Sequence, residues 1–206
     1  MLKQHPLKIA GLVKDLLKGG PLRLDGWWRS AIEQRSIDAS GAPVPWLTYG
    51  AIDFLVERLP AGVSVFEYGC GDGTLWWATT AELVVSVEHD QSWYERVEAQ
   101  LPENAELLLR DLDLNYVNSI SEAGIDFDVV VVDGRKRSEC INAAANCLSK
   151  SGLIILDNSE RKAYRESVDR LLETGFREVF FTGFCPVVNV KSQTSLLYRP
   201  HNLLGL

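Results

Sequence analysis

The sequence predicts an α/β protein built on a doubly wound, mainly parallel sheet, and three observations predict it. Five short apolar runs from residue 63 onward alternate with segments of helical spacing, the signature of βαβ units. One of them, residues 127–133 (FDVVVVD), is an unbroken valine run, as expected of a strand buried on both faces. Two further runs then follow each other with no helix between them, so the last is expected to enter antiparallel.

Taken in order, residues 1–61 read as a helical, Trp-rich cap or lid. Leu7, Leu12 and Leu16, with Ile9, Val13 and Leu17, recur at helical spacing, and Gly19-Gly20-Pro21 stops that helix. Residues 1–23 carry five Lys/Arg against one acid, Asp15, a local charge of +4 in a chain of formal charge −7. A basic amphipathic helix over residues 1–18 suits a membrane surface, a partner, or the domain itself. Packing on the domain is the expectation, because short helices owe most of their stability to tertiary contacts. Residues 22–49 hold Trp27, Trp28, Trp46 and Tyr49, too aromatic for a disordered linker. Residues 50–59 read as a short helix ending before Pro60-Ala61-Gly62.

The core follows over residues 62–200. Strands are expected at 63–67, 84–88, 105–110, 127–133, 152–157, 177–182 and 194–199. Helices are expected around Trp76-Trp77 and over 92–101, 138–149 and 160–174. With 206 residues the chain has room for one well-buried domain, spanning 1–206.

Composition excludes several classes. The acidic balance argues against nucleic acid as a partner, since phosphate neutralisation needs a basic surface. No apolar stretch approaches the roughly 20 residues that span a bilayer. Lys3, Lys8 and Lys14 interrupt the N-terminal apolar residues, so no signal peptide is expected. Cys70, Cys140, Cys147 and Cys185 form no CxxC pair and read as reduced thiols of a cytoplasmic protein. His5, His89 and His201 lack zinc-type spacing, though His89, beside Glu88, is placed to line a site or act as a base. No GxSxG elbow is present.

The chemistry concentrates after the first strand, in Glu67-Tyr-Gly69-Cys-Gly71-Asp-Gly73. Glycines between a strand and its helix let backbone approach a ligand closely. A carboxylate just before them is unsuited to a pyrophosphate but suits a ligand carrying cationic ammonium and sulfonium groups. Glu88, 19 residues beyond Gly69 at the end of the second strand, is placed to hold both hydroxyls of a ribose.

On these residues the chain resembles the class I S-adenosylmethionine-dependent methyltransferases over about residues 50–200. The resemblance implies a Rossmann-like seven-stranded sheet in the order 3-2-1-4-5-7-6 with strand 7 antiparallel. It also implies roles: Gly69, Gly71 and Gly73 cradle the methionine part of S-adenosylmethionine. Glu67 meets its ammonium group, Glu88 holds the ribose, and Asp111, with Asp113 a near neighbour, faces the adenine.

Beyond the fourth and fifth strands, Asp133 and Asp157-Asn158 should converge beside the donor, as ligand sites in open parallel sheets do. Oxygen ligands of this kind suit Mg²⁺, which would bind an acceptor hydroxyl and lower its pKa. The pattern is similar to that of catechol O-methyltransferase and related enzymes, which implies Asp133, Asp157 and Asn158 as metal ligands and Lys136 as base. Asp157-Asn158 also suits a simple helix cap. The run Arg135-Lys136-Arg137 departs from that pattern and suits an anionic acceptor such as a uronate, phosphate or nucleotide-sugar.

The aromatic cap residues are candidates to cover donor and acceptor, and the loop Gly183-Phe-Cys-Pro186 is expected to face the same cleft. The function expected is therefore O-methylation of a small-molecule or sugar-type (glycan) acceptor, catalysed by Asp133, Lys136 and Asp157. The alternatives are an aminopropyl transferase-like enzyme, a nicotinamide-dependent oxidoreductase, or a non-catalytic subunit that keeps the donor pocket.

Overall fold

The computed structural model describes residues 6–206. Lys3 and His5 lie outside them, as does the start of the basic N-terminal segment. Four helices precede the sheet: α1 (Pro6–Gly19), α2 (Pro21–Leu24), α3 (Trp27–Glu33) and α4 (Tyr49–Arg58). The core then runs β1 (Ser64–Tyr68), α5 (Asp72–Trp77), β2 (Leu83–Glu88), α6 (Gln91–Glu98), β3 (Ala105–Leu109) and α7 (Leu114–Glu122). It continues with β4 (Phe127–Val132), α8 (Arg137–Asn146), β5 (Leu148–Asp157), α9 (Lys162–Glu173), β6 (Arg177–Gly183) and β7 (Ser192–Tyr198). Among the described residues, no helix is long and apolar enough to cross a membrane.

The seven strands form one sheet in the order β3-β2-β1-β4-β5-β7-β6. The first five are mutually parallel, and β7 runs antiparallel to both β5 and β6. The valine run of β4 explains itself here. Val130 and Val132 face a core with Phe66, Tyr116, Ile120 and Ile141, while Val129 and Val131 face a second core with Leu55, Val65 and Trp77. A central strand covered by helices on both sides has no polar face to show.

Three expectations change. A helix not read from the sequence, α7, crosses from β3 to β4; Asp113 caps it by accepting from the Asn115 N–H at 2.7 Å, and Tyr116, Val117 and Ile120 are its buried stripe. β5 begins four residues early at Leu148, with a shift in its register against β4 between Phe127 and Val129. The expected packing of the N-terminal helix on the domain is not found: Leu12, Val13, Leu16 and Leu17 of α1 are exposed.

Candidate active site

The site sits beyond the carboxyl ends of β1, β2 and β4, in a cleft of about 610 Å³. Its floor is the glycine turn. Gly69 has a left-handed backbone (φ 101°), and a Cβ there would stand 3.2 Å from the backbone of Gly134, so the turn closes against the β4 loop only without a side chain. At Gly73, a Cβ would lie 3.0 Å from Glu67 Oε1. The missing side chain leaves that carboxylate its room.

Glu67 occupies a core-facing position of β1, between Ser86 and Val131 on the neighbouring strands. It is buried. Its Oε2 accepts from Thr74 Oγ1 (2.5 Å) and Ser86 Oγ (3.0 Å), and Thr74 Oγ1 in turn accepts from the Gly71 N–H at 3.1 Å. Among the described residues, no guanidinium or ammonium group bonds to it. Burial therefore pushes its pKa up to about 8, with the charges of Asp133 and Glu88 adding to the rise and the two hydroxyls opposing it.

Glu88, buried at the end of β2, is held by backbone. Its Oε2 accepts from the Cys70 N–H (3.1 Å), and Oε1 accepts from the N–H groups of His89 (2.7 Å) and Asp90 (2.8 Å). His89 Nδ1 lies 2.7 Å from the same oxygen, which fixes the Nδ1–H form of a neutral ring and leaves Nε2 as its acceptor. Glu67, Glu88, His89 and Asp133 all line the cleft.

At the ends of β4 and β5 the arrangement is different. Arg137, the first residue of α8, follows Lys136, whose backbone is left-handed (φ 49°). That turn folds the guanidinium inward, where it is 9% exposed. Nη2 donates to Asp133 Oδ1 (2.9 Å) and to the Asp133 carbonyl. Nη1 donates to Asn158 Oδ1 (3.3 Å) and the Asp157 carbonyl, and lies 3.9 Å from Asp157 Oδ2. Nε donates to the Gly134 carbonyl at 3.0 Å.

This guanidinium stands among the three oxygen-bearing side chains expected to hold Mg²⁺. It supplies the positive charge they need and fills the space between them, so Asp133, Asp157 and Asn158 do not fit a divalent cation. No cluster of three or more His, Cys, Asp or Glu suited to a metal occurs among the described residues. Asp157 is buried behind Arg137, accepting from Thr194 Oγ1 at 3.1 Å, and it does not line the cleft. Burial, then the charge of Asp133, pushes its pKa up to about 8. Asn158 donates to Ser192 Oγ at 2.9 Å and likewise stands outside the cleft.

The basic run therefore divides. Arg137 is structural, whereas Arg135 and Lys136 line the cleft. With Arg161 they form a basic rim facing the acids of the glycine turn, and none of the three makes an ion pair among the described residues. Asp111 is exposed and does not line the cleft, and Asp113 is the cap of α7.

Of the aromatic cap residues, Trp46 lines the cleft. Trp27 is a staple: it is buried, donates from Nε1 to the Val188 carbonyl (3.0 Å) and packs edge-on against Phe184. Trp28 and Tyr49 lie outside the cleft, as does the 183–186 loop. The sequence reading missed Trp93, Tyr164 and the strap Gln34–Arg35–Ser36, all of which line it. The strap is tied to the glycine turn: Arg35 pairs with Asp72 Oδ1, and the Ser36 N–H donates to Asp72 Oδ2 at 3.1 Å.

No protein-family model matches the chain, and no curated protein matches it. Solved structures do. A precorrin 8W decarboxylase of Methanobacterium thermoautotrophicum is 17% identical, with a TM-score of 0.59 over 81% of this chain and 97% of that one. An rRNA methylase of Streptococcus thermophilus is 20% identical, with a TM-score of 0.56 over 71% of this chain and 92% of that one. A Streptococcus mutans protein solved in complex with SAH is 12% identical, with a TM-score of 0.52 over 71% and 94%. At such identities the likeness is one of fold. The sheet order and the antiparallel seventh strand are those of the Rossmann-like class I methyltransferase fold.

Proposed function

We propose that the chain is an S-adenosylmethionine-dependent methyltransferase acting on a hydroxyl of a small, anionic or sugar-type acceptor. One observation carries the reading. Two buried glutamates, Glu67 and Glu88, flank a glycine turn, and neither has a lysine or arginine partner among the described residues. Such a site is short of positive charge and repels a diphosphate. The methyl donor carries an ammonium and a sulfonium, and the sulfonium supplies an electrophilic methyl group.

In this reading Glu67 Oε1 takes the ammonium, its other oxygen being committed to Thr74 and Ser86. Glu88, already oriented by three backbone N–H groups, takes ribose hydroxyls. Trp46 and the 34–36 strap exclude water from above. The rim of Arg135, Lys136 and Arg161 holds a carboxylate or phosphate of the acceptor through charge-assisted hydrogen bonds. Transfer breaks the sulfur–methyl bond and forms an oxygen–methyl bond, and the hydroxyl proton leaves to His89 Nε2. No step passes through a metal, because Arg137 already neutralises the acids that would bind one.

The rim counts against an aminopropyl transferase, whose polyamine substrate is cationic. A second reading, a donor-binding subunit without turnover, draws on the pairing of Asp133 with Arg137, which removes one candidate base. The test is transfer of labelled methyl from S-adenosylmethionine to a panel of uronates and sugar phosphates. Turnover that falls in both Glu88→Ala and a Lys136→Met/Arg161→Met double variant supports the enzyme. Donor binding with no turnover across the panel favours the subunit.

A further inference from the structure

We infer that the α1–α3 segment is a docking surface for an anionic phospholipid membrane. The cleft plays no part in this inference, which rests on residues outside it. At 100° per residue, Ile9, Leu12, Val13, Leu16 and Leu17 fall within one arc of about 140° on α1. Lys8 and Lys14 border that arc on its two sides. This is the placement in which lysine stems extend along apolar surface and carry their ammonium groups to a headgroup layer. Leu12 is 63% exposed among the described residues, and Val13, Leu16 and Leu17 are exposed beside it.

The surface continues past the helix. Leu24 and Ile32 are 70% and 78% exposed, the two most exposed large apolar residues beyond α1 in this segment. They line a second cavity of about 630 Å³ with Arg23, Trp28 and Arg29. Arg23 joins the two parts, donating from Nη1 to the Leu17 carbonyl at 3.3 Å while lining the cavity. Trp28 Nε1 is buried with no hydrogen-bond partner, and Arg23 makes no ion pair among the described residues, whereas Arg29 is taken by Glu33 at 2.7 Å. A guanidinium without an ion-pair partner among the described residues, beside exposed apolar side chains, suits phosphate oxygens above acyl chains.

Charge selects the occupant. Residues 6–33 hold five Lys/Arg against Asp15, Asp25 and Glu33, a net +2, so the rest of the chain holds −9. An anionic bilayer attracts this segment and repels the acidic body, which confines contact to α1–α3. A second copy of the chain would bring two acidic bodies together.

The test is sedimentation of the full chain with vesicles of phosphatidylcholine alone and of phosphatidylcholine mixed with phosphatidylglycerol. Binding is expected to the mixed vesicles only, and to fade as salt rises. Lys8→Glu and Lys14→Glu should each weaken it, by about fivefold per lysine charge removed and further for the charge added. A Leu12→Glu/Leu16→Glu variant should abolish it with no fall in melting temperature, since both side chains are exposed. Absence of binding to the mixed vesicles at low salt would overturn the inference, as would binding that survives the leucine variant. So would a salt-stable dimer in sedimentation equilibrium that the leucine variant dissociates without any vesicle binding, which would assign the face to a second copy.

Discussion

The sheet ends in two pairs of acids, buried except for the half-buried Asp133, that look alike in the sequence and differ in the structure by one cation. At the β4 and β5 ends, Asp133 and Asp157 share the guanidinium of Arg137, and the Asp157–Thr194–Thr48 hydrogen bonds continue the network into α4. At the β1 and β2 ends, Glu67 and Glu88 have hydroxyls, backbone N–H groups and one histidine, and no permanent cation. The first pair carries its own cation, with Asp133 at the cleft wall and Asp157 behind it. The second faces a cavity and still lacks a positive partner. Counting the cations built into each acidic pair separates a structural network from a binding site more surely than counting the acids.

The comparison is broken most severely by removing the built-in cation. Arg137→Ala leaves the half-buried Asp133 and the buried Asp157 without their shared guanidinium and should cost about 3 kcal/mol of stability, read as a large fall in the denaturant midpoint. Asp157→Asn in the Arg137→Ala background should recover part of it. A denaturant midpoint for Arg137→Ala equal to wild type would show that the guanidinium is not the keystone of that pair.

Next in size is the open pair. Glu88→Ala removes a charged acceptor from the donor's site and should weaken donor binding by about 1.5–3 kcal/mol, measured by calorimetry. For Glu67 the effect appears in pH. Its proton must leave before it can hold an ammonium group, so donor affinity should rise about tenfold per pH unit approaching its pKa of about 8 and level off above it. In Glu67→Gln that slope should flatten at a lower affinity.

A smaller effect sharpens the first pair. Asp157 binds its proton more tightly folded than unfolded, so its contribution to stability is full below the usual carboxylate pKa, is lost as pH rises from there to about 8, and changes no further above that. Melting temperature should fall between about pH 5 and pH 8 in wild type and fall less in Asp157→Asn. The smallest expected effect is none: turnover should be unchanged in excess chelator, and loss of activity there would restore a metal to the β4–β5 end.

Much of this was legible beforehand because it rests on periodicity and local chemistry. The valine run of β4, the glycine-rich turn after β1 and the place of Glu88 at the end of β2 follow from residue order alone, since a twice-buried strand and a tight turn leave few choices of side chain. Arg137 departs from the acceptor-binding role that the run Arg135-Lys136-Arg137 suggests, because its guanidinium is spent on Asp133 and the β5 end. Only the left-handed turn at Lys136 sends the third inward, and a sequence does not display a backbone angle. α7 was missed because its apolar stripe is just Tyr116, Val117 and Ile120 within nine residues, although Asp113 before it was a usable cap signal. Trp93 and the 34–36 strap reach the cleft through tertiary contacts that no local pattern encodes. The exposed stripe of α1 shows the converse: amphipathicity predicted a helix but not what covers it.

Titration calorimetry of the full chain with S-adenosylmethionine and with NADH, near pH 7 in two buffers of different ionisation enthalpy, tests the open acidic pair most directly. The methyl donor should bind in the micromolar range and release a fraction of a proton that disappears in Glu67→Gln, while NADH should not bind. Binding of NADH without the methyl donor would contradict the assignment of Glu67 and Glu88 to a cationic ligand.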